Sequence, residues 1–438
     1  MSTFPLPPQA ASPGFRLAVD ADAVGALLTR HLLVDAELLE LCGDYVRWKD
    51  QDGSLVGYRA VVRTGTQTTA TYFTVRSAAP HRLADEAERL AHHDDETFAG
   101  ARALVLVPEA NVLLLGFPLD RTMPDLRRLV RGSKLRNLVA SACPEFVPAG
   151  LRLSKRRSTF TLARYKPERR AVLHWQVGCV DAAGDRHEQR SLWLRCHAEP
   201  TARHGAAACR AAAAAGIATP TPLAVVHDRL ALESHLAGSG WPVHELERQT
   251  MAAAAAVTAR LHGARVPAAL PLHGPVQELD RALRAAADLG RVCPELHDRA
   301  LRLTDHLAAS VPASGGLHFA HGDLHQGQFL FAGSEAALCD FDRAVTAPVA
   351  FDLASFHAHC VLATPGSGHL QSSAFAAAYG RAAPLPPHEE QRWWNCAALL
   401  RSATTPFRRL QRDWPRAIAA LLTRAEHERL AAAPEAWR

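Results

Sequence analysis

The sequence predicts a mixed α+β protein in which two small antiparallel sheets precede a mainly helical C-terminal half. Short β-branched and aromatic runs, separated by turn residues, fill about residues 43–120 and again about 154–240. Each of these stretches also contains one helical segment. From about Trp241 to Arg438 helical patterns dominate, with one interruption between His318 and His359. At 438 residues, the chain has room for two or three domains.

Composition excludes several classes of protein. Hydrophobic residues make up 48% of the chain and charged residues 21%, which is typical of a globular protein and not of a disordered one. The net charge of +5 is mild, so we expect no nucleic-acid partner. Nine scattered cysteines without CxxC spacing indicate reduced thiols rather than disulfides or a zinc site.

The start of the chain predicts a loose tail rather than a targeting segment. Residues 1–14 are rich in Pro and Ser and lack the basic and apolar parts of a signal peptide. The alanine runs are too short and too weakly apolar to span a bilayer. We therefore expect a cytoplasmic protein without a membrane partner, and the oligomeric state stays open.

Residues 15–150 are predicted to form an α+β region of their own. Asp-Gly and Thr-Gly turn signals separate its first strands, and an amphipathic helix follows them. The predicted elements, in order, are strands at Tyr45–Lys49, Leu55–Arg63 and Thr71–Arg76, a helix at His81–His92, and strands at Ala103–Val107 and Val112–Phe117.

Residues 151–240 repeat this order of three strands, a helix and two strands. The predicted elements are strands at Thr159–Tyr165, Val172–Val177 and Leu192–Cys196, a helix at Thr201–Ala215, and strands at Leu223–His227 and Leu230–His235. Sequence identity between the two regions is slight. The shared order indicates either an internal duplication or the chance likeness of two small sheets.

The strongest chemical signal lies between His321 and Asp342. The segment His-Gly-Asp-Leu-His-Gln-Gly-Gln, residues 321–328, is followed by two short apolar runs that predict a hairpin, and then by Asp-Phe-Asp. Such a hairpin returns Asp340 close to Asp323 and Gln328. Carboxylate and amide oxygens are hard ligands that suit Mg²⁺, which usually shares its coordination sphere with phosphates and water.

This layout matches a kinase catalytic core, in which one Asp serves as base and a second Asp, after a hairpin, binds metal. The sequence of the motif, with Asp352-Leu353-Ala354 downstream, resembles the aminoglycoside phosphotransferase and choline kinase-like family. The resemblance extends over about Ser154 to Trp414. The resemblance implies a bilobal protein kinase-like fold. Residues 151–240 would be its small lobe, 241–438 its helical lobe, and 15–150 an added cap-like region.

The resemblance also implies roles for individual residues. Asp323 would be the catalytic residue, and His321 would brace its loop. Asp352 would anchor that loop from the following helix, and Asp340 would hold Mg²⁺ against the nucleotide phosphates, so that ATP and Mg²⁺ are the expected cofactors. Gln328 stands where the family usually has Asn as the second metal ligand. The sequence of this motif is similar to that of the maltokinase branch, and this similarity favours a sugar as the acceptor.

A second departure concerns the cation that binds nucleotide phosphates. Kinases place a Lys on the third strand of the small lobe, but the only lysines here are Lys49, Lys134, Lys155 and Lys166. Arg195, on the predicted third strand, is the default substitute, and Glu199 is a candidate partner. The alternative is that Arg195 is an exposed cation at a strand edge.

The first hairpin of the small lobe lacks a Gly-rich loop. Residues 165–170 stand in its place, and Lys166, Arg169 and Arg170 there indicate either a cluster beside the triphosphate or a solvated hairpin tip. The strand that contains Glu233 and His235 is the expected hinge, whose backbone would hydrogen-bond adenine.

The leading hypothesis is thus an ATP- and Mg²⁺-dependent phosphotransferase that acts on a hydroxyl of a sugar, an aminoglycoside or a similar polar metabolite. The missing Lys–Glu pair and Gly-rich loop leave an alternative, a non-catalytic kinase-like protein that binds nucleotide or another ligand. Four aromatic residues near the C-terminus predict either an acceptor pocket or helix packing: Trp393, Trp394, Phe407 and Trp414.

Overall fold

A computed structural model describes residues 4–8, 12–49, 53–91, 97–183, 187–241, 248–313, 315–364 and 366–430. Its elements confirm the predicted mixed α+β class. The chain forms two compact units. The first comprises Met1–Pro200, Leu223–Glu233 and Phe407–Trp414, and the second comprises Thr201–Pro222, Ser234–Pro406 and Pro415–Arg438. The boundaries proposed from sequence at 150/151 and 240/241 stay predictions.

The first unit opens with two short helices and a π-helical turn at Leu28–Leu32, and then forms an antiparallel sheet in the order β1-β2-β3-β7-β6. A small separate ladder joins β4 and β5. The elements are α1 (Pro13–Ala18), α2 (Ala21–Leu27), β1 (Glu37–Lys49), β2 (Gly53–Thr64), β3 (Gln67–Ser77), α3 (Pro80–Leu90), β4 (Thr97–Phe98), β5 (Ala101–Arg102), β6 (Leu104–Val107) and β7 (Val112–Gly116).

A second sheet follows in the order β8-β9-β10-β12-β11, which is the same strand order as in the first sheet. In both, three strands form a meander, a helix follows in sequence, and the last strand inserts beside the third. The elements are α4 (Leu126–Leu129), α5 (Gly132–Ala142), β8 (Arg152–Lys166), β9 (Arg170–Val180), β10 (His187–His197), α6 (Ala202–Ala214), β11 (Pro222–Val226) and β12 (Leu230–Ser234). Tyr72 of β3 and Tyr165 of β8 pack edge to face at 4.8 Å within one apolar cluster.

All twelve strands and helices predicted for these two regions are present, although His92, the last residue of the predicted helix at 81–92, lies outside the described residues. The first three strands of each sheet are longer than predicted. The extension of β1 back to Glu37 escaped prediction because Glu37–Leu41 has Leu and Glu instead of β-branched residues. One of the two register shifts of β1 against β2, between Leu38 and Glu40, lies in this segment.

The second unit is mainly helical, with two short antiparallel ladders, β13 with β16 and β14 with β15, around the motif at residues 321–342. The remaining elements of the chain are α7 (Arg248–Gly263), α8 (Pro275–Val292), α9 (His297–Ala309), β13 (His318–Ala320), β14 (Phe329–Ala332), β15 (Glu335–Leu338), β16 (Val345–Ala347), α10 (Val349–Ala363), α11 (Gly368–Ala382), α12 (His388–Arg401), α13 (Thr405–Arg408) and α14 (Trp414–Leu430). Helix α10 is buried on nearly all sides, and Phe356 packs there against Phe329 and Phe375. No described helix has the length and apolar character needed to cross a membrane.

The C-terminal aromatic residues pack inside the two units. In the second unit Trp394 is fully buried, and Nε1 of Trp393 donates to the carbonyl of Leu307 at 2.9 Å. In the first unit Phe407 and Trp414 contact each other, and Nε1 of Trp414 donates to the carbonyl of Pro5. Burial and these partners favour helix packing over an acceptor pocket, and residues 4–8 of the predicted loose tail are partly held by this contact.

Candidate active site

The loop at residues 321–328, which is predicted to be catalytic, follows β13 and depends on a glycine. β13 pairs with β16, which brings the loop against the backbone that precedes β16. Gly322 has a φ of 84°, and a Cβ there would lie 1.7 Å from the carbonyl oxygen of Arg343. Only glycine combines that conformation with so close an approach. The loop geometry is therefore specified by the sequence at this position.

Asp352, on α10, hydrogen-bonds to the backbone of this loop, and its role as an anchor stays a prediction. Its side chain is fully buried and accepts hydrogen bonds from the backbone N–H groups of His321, at 2.6 Å, and Gly322, at 2.9 Å. Burial acts to raise the pKa of Asp352, but the hydrogen bond and charge of His262, together with His321, hold that pKa below its ordinary value. The anchor therefore remains an ionised acceptor at neutral pH.

His321 is also fully buried and joins the two halves of the motif. Its Nε2 donates to the carbonyl oxygen of Cys339 at 2.8 Å, immediately before Asp340. This side chain therefore joins the loop at residues 321–328 to the segment that begins at Asp340.

Asp323 is partly exposed, with 30% of its side chain accessible, and Arg343 and two histidines lie near it. A guanidinium nitrogen of Arg343 lies 3.7 Å and Nε2 of His359 lies 3.8 Å from its Oδ1, and the His359 ring stacks on His325 at 4.5 Å. Burial acts to raise the pKa of Asp323, but His359, Arg343 and His325 together hold it well below its usual range. The carboxylate is therefore charged and suited to orient a hydroxyl group.

The hairpin of β14 and β15 brings Gln328 and Asp340 to the same end. Phe329 pairs with Leu338, and the N–H of Cys339 donates to the carbonyl of Gln328 at 2.9 Å. Asp340 follows at once, in a left-handed conformation with a φ of 67°. A strained non-glycine backbone of this kind is retained where the surrounding structure fixes it.

One amide and one carboxylate at this position fit a Mg²⁺ ion that takes its other ligands from phosphates and water. Among the described residues, no cluster of three or more His, Cys, Asp or Glu side chains forms a self-sufficient metal site. The amide of Gln328 lies 3.0 Å from Nε2 of His325, whose Nδ1 accepts the N–H of Gly327. His325 therefore fixes the orientation of the Gln328 side chain.

Helix α6 packs directly on the segment after Asp340. A Cβ on Gly205 would lie 2.6 Å from Oδ1 of Asp342, and Nε2 of His204 donates to the carbonyl of Ala344 at 2.9 Å. Helix α6 contains no Glu that could pair with a cation on the third strand. Its backbone at Gly205 instead lies close to Asp342.

In the first unit, Arg195 lies on β10 and is 8% exposed, so the alternative of an exposed strand-edge cation does not hold. Its Nε lies 3.0 Å from Oε2 of Glu233 on the neighbouring strand β12. The carboxylate found against Arg195 is thus that of Glu233, where the sequence had pointed to Glu199. A role of the Glu233 backbone in holding adenine stays a prediction, as does that of His235, which is exposed just after β12.

The turn between β8 and β9, residues 166–170, is not a simple solvated tip. Lys166 is half-buried and Arg169 is exposed, but Glu168 between them is buried and paired with arginines of the first sheet region. Contact of Lys166 and Arg169 with nucleotide phosphates stays a prediction. The sequence had given no sign that this turn is held from outside its own sheet.

Sequence reasoning missed two further residues of the site. His262, at the end of α7, lies 3.1 Å from Asp352 through Nε2 and 2.9 Å from the hydroxyl of Tyr379 through Nδ1. The available signal was its position four residues after Thr258 on the buried face of an alanine-rich helix. His359, the neighbour of Asp323, carried no signal because α10 is buried all round and shows no amphipathic pattern.

Comparison with known proteins bears directly on this motif. The family model described as "Phosphotransferase enzyme family" matches residues 194–389, which include the catalytic loop, Asp340 and Asp352. The predicted resemblance is confirmed. This phosphotransferase-family region carries the kinase-like catalytic motif, and the match supports a phosphotransferase activity. A search of curated proteins finds no match.

Several solved structures are similar to the chain at low sequence identity. Macrolide 2'-phosphotransferase MphH from Brachybacterium faecium is 18% identical, with a TM-score of 0.42, over 66% of this chain and 97% of its own. A choline/ethanolamine kinase family protein from Mesorhizobium loti is 17% identical, with a TM-score of 0.44, over 68% and 95%. Choline kinase from Cryptosporidium parvum is 10% identical, with a TM-score of 0.49, over 68% and 95%.

Proposed function

We propose that this protein is an ATP- and Mg²⁺-dependent phosphotransferase that phosphorylates a hydroxyl group of a sugar or sugar-containing metabolite. The observation that carries the proposal is the anchored loop of Asp323 within the phosphotransferase-family region. Its carboxylate is ionised and accessible, while Asp352 and His321 hold its backbone in place. Such a site performs phosphoryl transfer mainly by positioning and by charge stabilisation.

The chain's own residues account for the proton and the orientation of the acceptor. Asp323 accepts a hydrogen bond from the acceptor hydroxyl and directs its oxygen at the γ-phosphorus of ATP. The new O–P bond forms as the bond to the β–γ bridging oxygen breaks, and ADP leaves. The low pKa of Asp323 means that it takes the hydroxyl proton late, as the oxygen becomes acidic on bonding to phosphorus.

Gln328 and Asp340 would hold Mg²⁺, which supplies neutralisation of the phosphate charges. His325 keeps the Gln328 amide in place, and Arg195 is the proposed cation for the nucleotide phosphates, held in its rotamer by Glu233. Gln328, which stands in the place of the usual Asn, supports the assignment of a sugar as acceptor. The sequence of the motif is similar to that of the maltokinase branch in this respect.

The test is nucleotide-dependent ADP release over a panel of neutral sugars and aminoglycosides, with and without Mg²⁺. We expect release with a sugar only when Mg²⁺ is present. Asp323→Ala should abolish release while the protein still binds nucleotide, and Asp298→Ala, on α9 and outside the motif, is the matched control. Release that persists in Asp323→Ala would overturn the assignment of the catalytic residue.

The second candidate is a non-catalytic kinase-like binding protein, which the missing Lys–Glu pair and Gly-rich loop favour. Thermal stabilisation by nucleotide that is unaffected by Mg²⁺, together with no ADP release for any acceptor, would support it against the phosphotransferase. Release with aminoglycosides alone would retain the phosphotransferase and correct its substrate class.

A further inference from the structure

The first sheet contains a buried ion pair between its third strand and the helix that follows that strand. Arg76 lies near the end of β3, the third strand, and its Nε is 2.9 Å from Oε1 of Glu86 on α3, the helix that follows. Both side chains are buried. In the second sheet the third-strand cation, Arg195, pairs with a neighbouring strand instead. The two sheets therefore share a strand order but use their third-strand arginines differently.

The pair of Arg76 and Glu86 extends to the turn between β8 and β9. A guanidinium nitrogen of Arg76 lies 2.9 Å from Oε1 of Glu168, one of Arg121 lies 3.0 Å from its Oε2, and Arg47 pairs with the same Oε2. Glu168 thus receives three arginines, all from the first sheet or from the segment that follows it. The carboxylate itself is only 5% exposed.

The backbone of Glu168 is held as firmly as its side chain. Oδ2 of Asp120 accepts the N–H of Glu168 at 2.8 Å and the hydroxyl of Tyr165 at 2.7 Å. Oδ1 of Asp120 accepts the N–H and the hydroxyl of Thr122. Asp120 is therefore the acceptor that joins the turn to the chain segment after β7.

Glu168 also adopts a conformation that its residue type disfavours. Its φ is 56°, in the left-handed region where glycine and asparagine are the common residues. A turn that needed only this backbone would be served by glycine. A glutamate in this conformation, with its charge buried among arginines, is explained if the carboxylate is required to fix the turn.

We propose that the first sheet is a brace within the chain, which holds the turn at residues 166–170 in one conformation through the positioning residue Glu168, in place of a mobile Gly-rich loop. The part of this inference that concerns nucleotide rests on the proposed function, since it takes this turn to face the phosphates. The part that concerns the rigidity of the turn does not.

Electrostatics makes the brace depend on one charge. Burial acts to raise the pKa of Glu168, but Arg76, Arg47 and Arg121 more than offset it and hold that pKa below its ordinary value. Removal of the charge leaves Arg76, which is itself buried, with Glu86 as its remaining carboxylate and with two other cations nearby. Breaking a buried ion pair in this way is strongly unfavourable.

The test compares Glu168→Gln, Glu168→Asp and the wild type by amide hydrogen exchange of residues 165–170 and by steady-state kinetics. The Gln variant should exchange faster in this turn and raise the KM for ATP by about tenfold or more, with kcat nearly unchanged. The Asp variant, which keeps the charge, should recover much of the loss. Glu37→Gln, which removes an exposed ion pair of the same sheet with Arg63, should change neither quantity.

Each outcome decides one point. Unchanged exchange in folded Glu168→Gln would overturn the brace. Faster exchange with an unchanged KM for ATP would overturn the link between this turn and nucleotide binding. A wild type that neither binds nor hydrolyses ATP would overturn the proposed function. The exchange result would then still decide whether the first sheet braces the turn. If Glu168→Gln fails to fold, Arg121→Gln, at a half-exposed position, should show the same effects in smaller size.

Discussion

Nε2 of His262 lies 3.1 Å from Oδ2 of Asp352, and both side chains are buried. Asp352 in this pair also accepts hydrogen bonds from the backbone N–H groups of His321 and Gly322. It links the end of α7 to the catalytic loop through a single carboxylate. The loop position therefore depends on a helix that contains none of the motif residues.

Asp352→Asn should lower both stability and turnover. The amide has only one acceptor oxygen for the two backbone N–H groups, and it removes the charge that His262 faces. We expect a loss of about 3 kcal/mol in the free energy of unfolding and a fall of about 100-fold in kcat. Urea denaturation and the ADP-release assay measure the two. His427→Ala, at an exposed position of α14, is the control and should be silent.

Arg195→Met should weaken nucleotide binding more than Arg195→Lys does. Lysine keeps the charge but lacks the planar donor group that Glu233 now contacts. Titration calorimetry with ATP should show a large rise in Kd for the Met variant and an intermediate one for Lys. Arg190→Met, which removes a partly exposed pair with Glu188 on the same strand, serves as control. If the Met variant folds and binds ATP like the wild type, Arg195 has a purely structural role.

Gln328→Ala should raise the Mg²⁺ concentration needed for half-maximal ADP release, because it removes one of two proposed oxygen ligands. Gln328→Asn restores the amide on a stem one methylene shorter and should recover part of the effect. Gln371→Ala is a matched control, since Gln371 bonds to Gln326 of the same loop but is not a proposed ligand. An unchanged Mg²⁺ dependence in Gln328→Ala would remove Gln328 from the metal site.

Glu428 should make the stability of the second unit depend on acid pH. Burial acts to raise its pKa, but His357, Arg424 and Asn395 outweigh this and lower the pKa from 4.5 to about 2. Because the folded-state pKa is depressed, the stabilisation is full above about pH 4.5 and is lost as pH falls toward 2, a change of about 3 kcal/mol.

Glu428→Gln isolates this contribution. The variant should be less stable than the wild type at pH 7, and the difference should shrink between pH 4.5 and 2, as followed by urea denaturation at each pH. Glu389→Gln, at an exposed position of α12, is the control. A difference between Glu428→Gln and wild type that stays constant over this range would contradict the assignment.

Local patterns predicted the strands and the catalytic motif well, because both are encoded within short stretches. The hairpin at residues 329–338 and the return of Asp340 followed from two apolar runs and a turn. The extent of β1 was missed because its first residues are leucines and glutamates. In each case the outcome follows from side chains that are neighbours in sequence.

Long-range pairings were beyond reach. Glu168 in a turn of charged residues indicates solvent exposure, yet its partners Arg47, Arg76 and Arg121 lie between 47 and 121 residues away in sequence. Glu233 was predicted to contribute only its backbone, because the backbone of a hinge strand hydrogen-bonds adenine. Nothing in the neighbouring sequence indicates that its side chain pairs with Arg195. The burial of a polar side chain cannot be predicted from sequence when its partners are brought to it only by the fold.

The arginine on β10 also changes how this protein responds to chemical reagents. Acyl phosphates of nucleotides label kinases by transferring their acyl group to the strand lysine beside the phosphates. The guanidinium of Arg195 stays protonated and is not a nucleophile at neutral pH. Of the four lysines of the chain, Lys166, at the end of β8, is the one placed at the turn predicted to face the phosphates. If this turn faces the phosphates as proposed, acylation would fall on Lys166, and a reagent that requires a lysine on the third strand would form no covalent bond at β10.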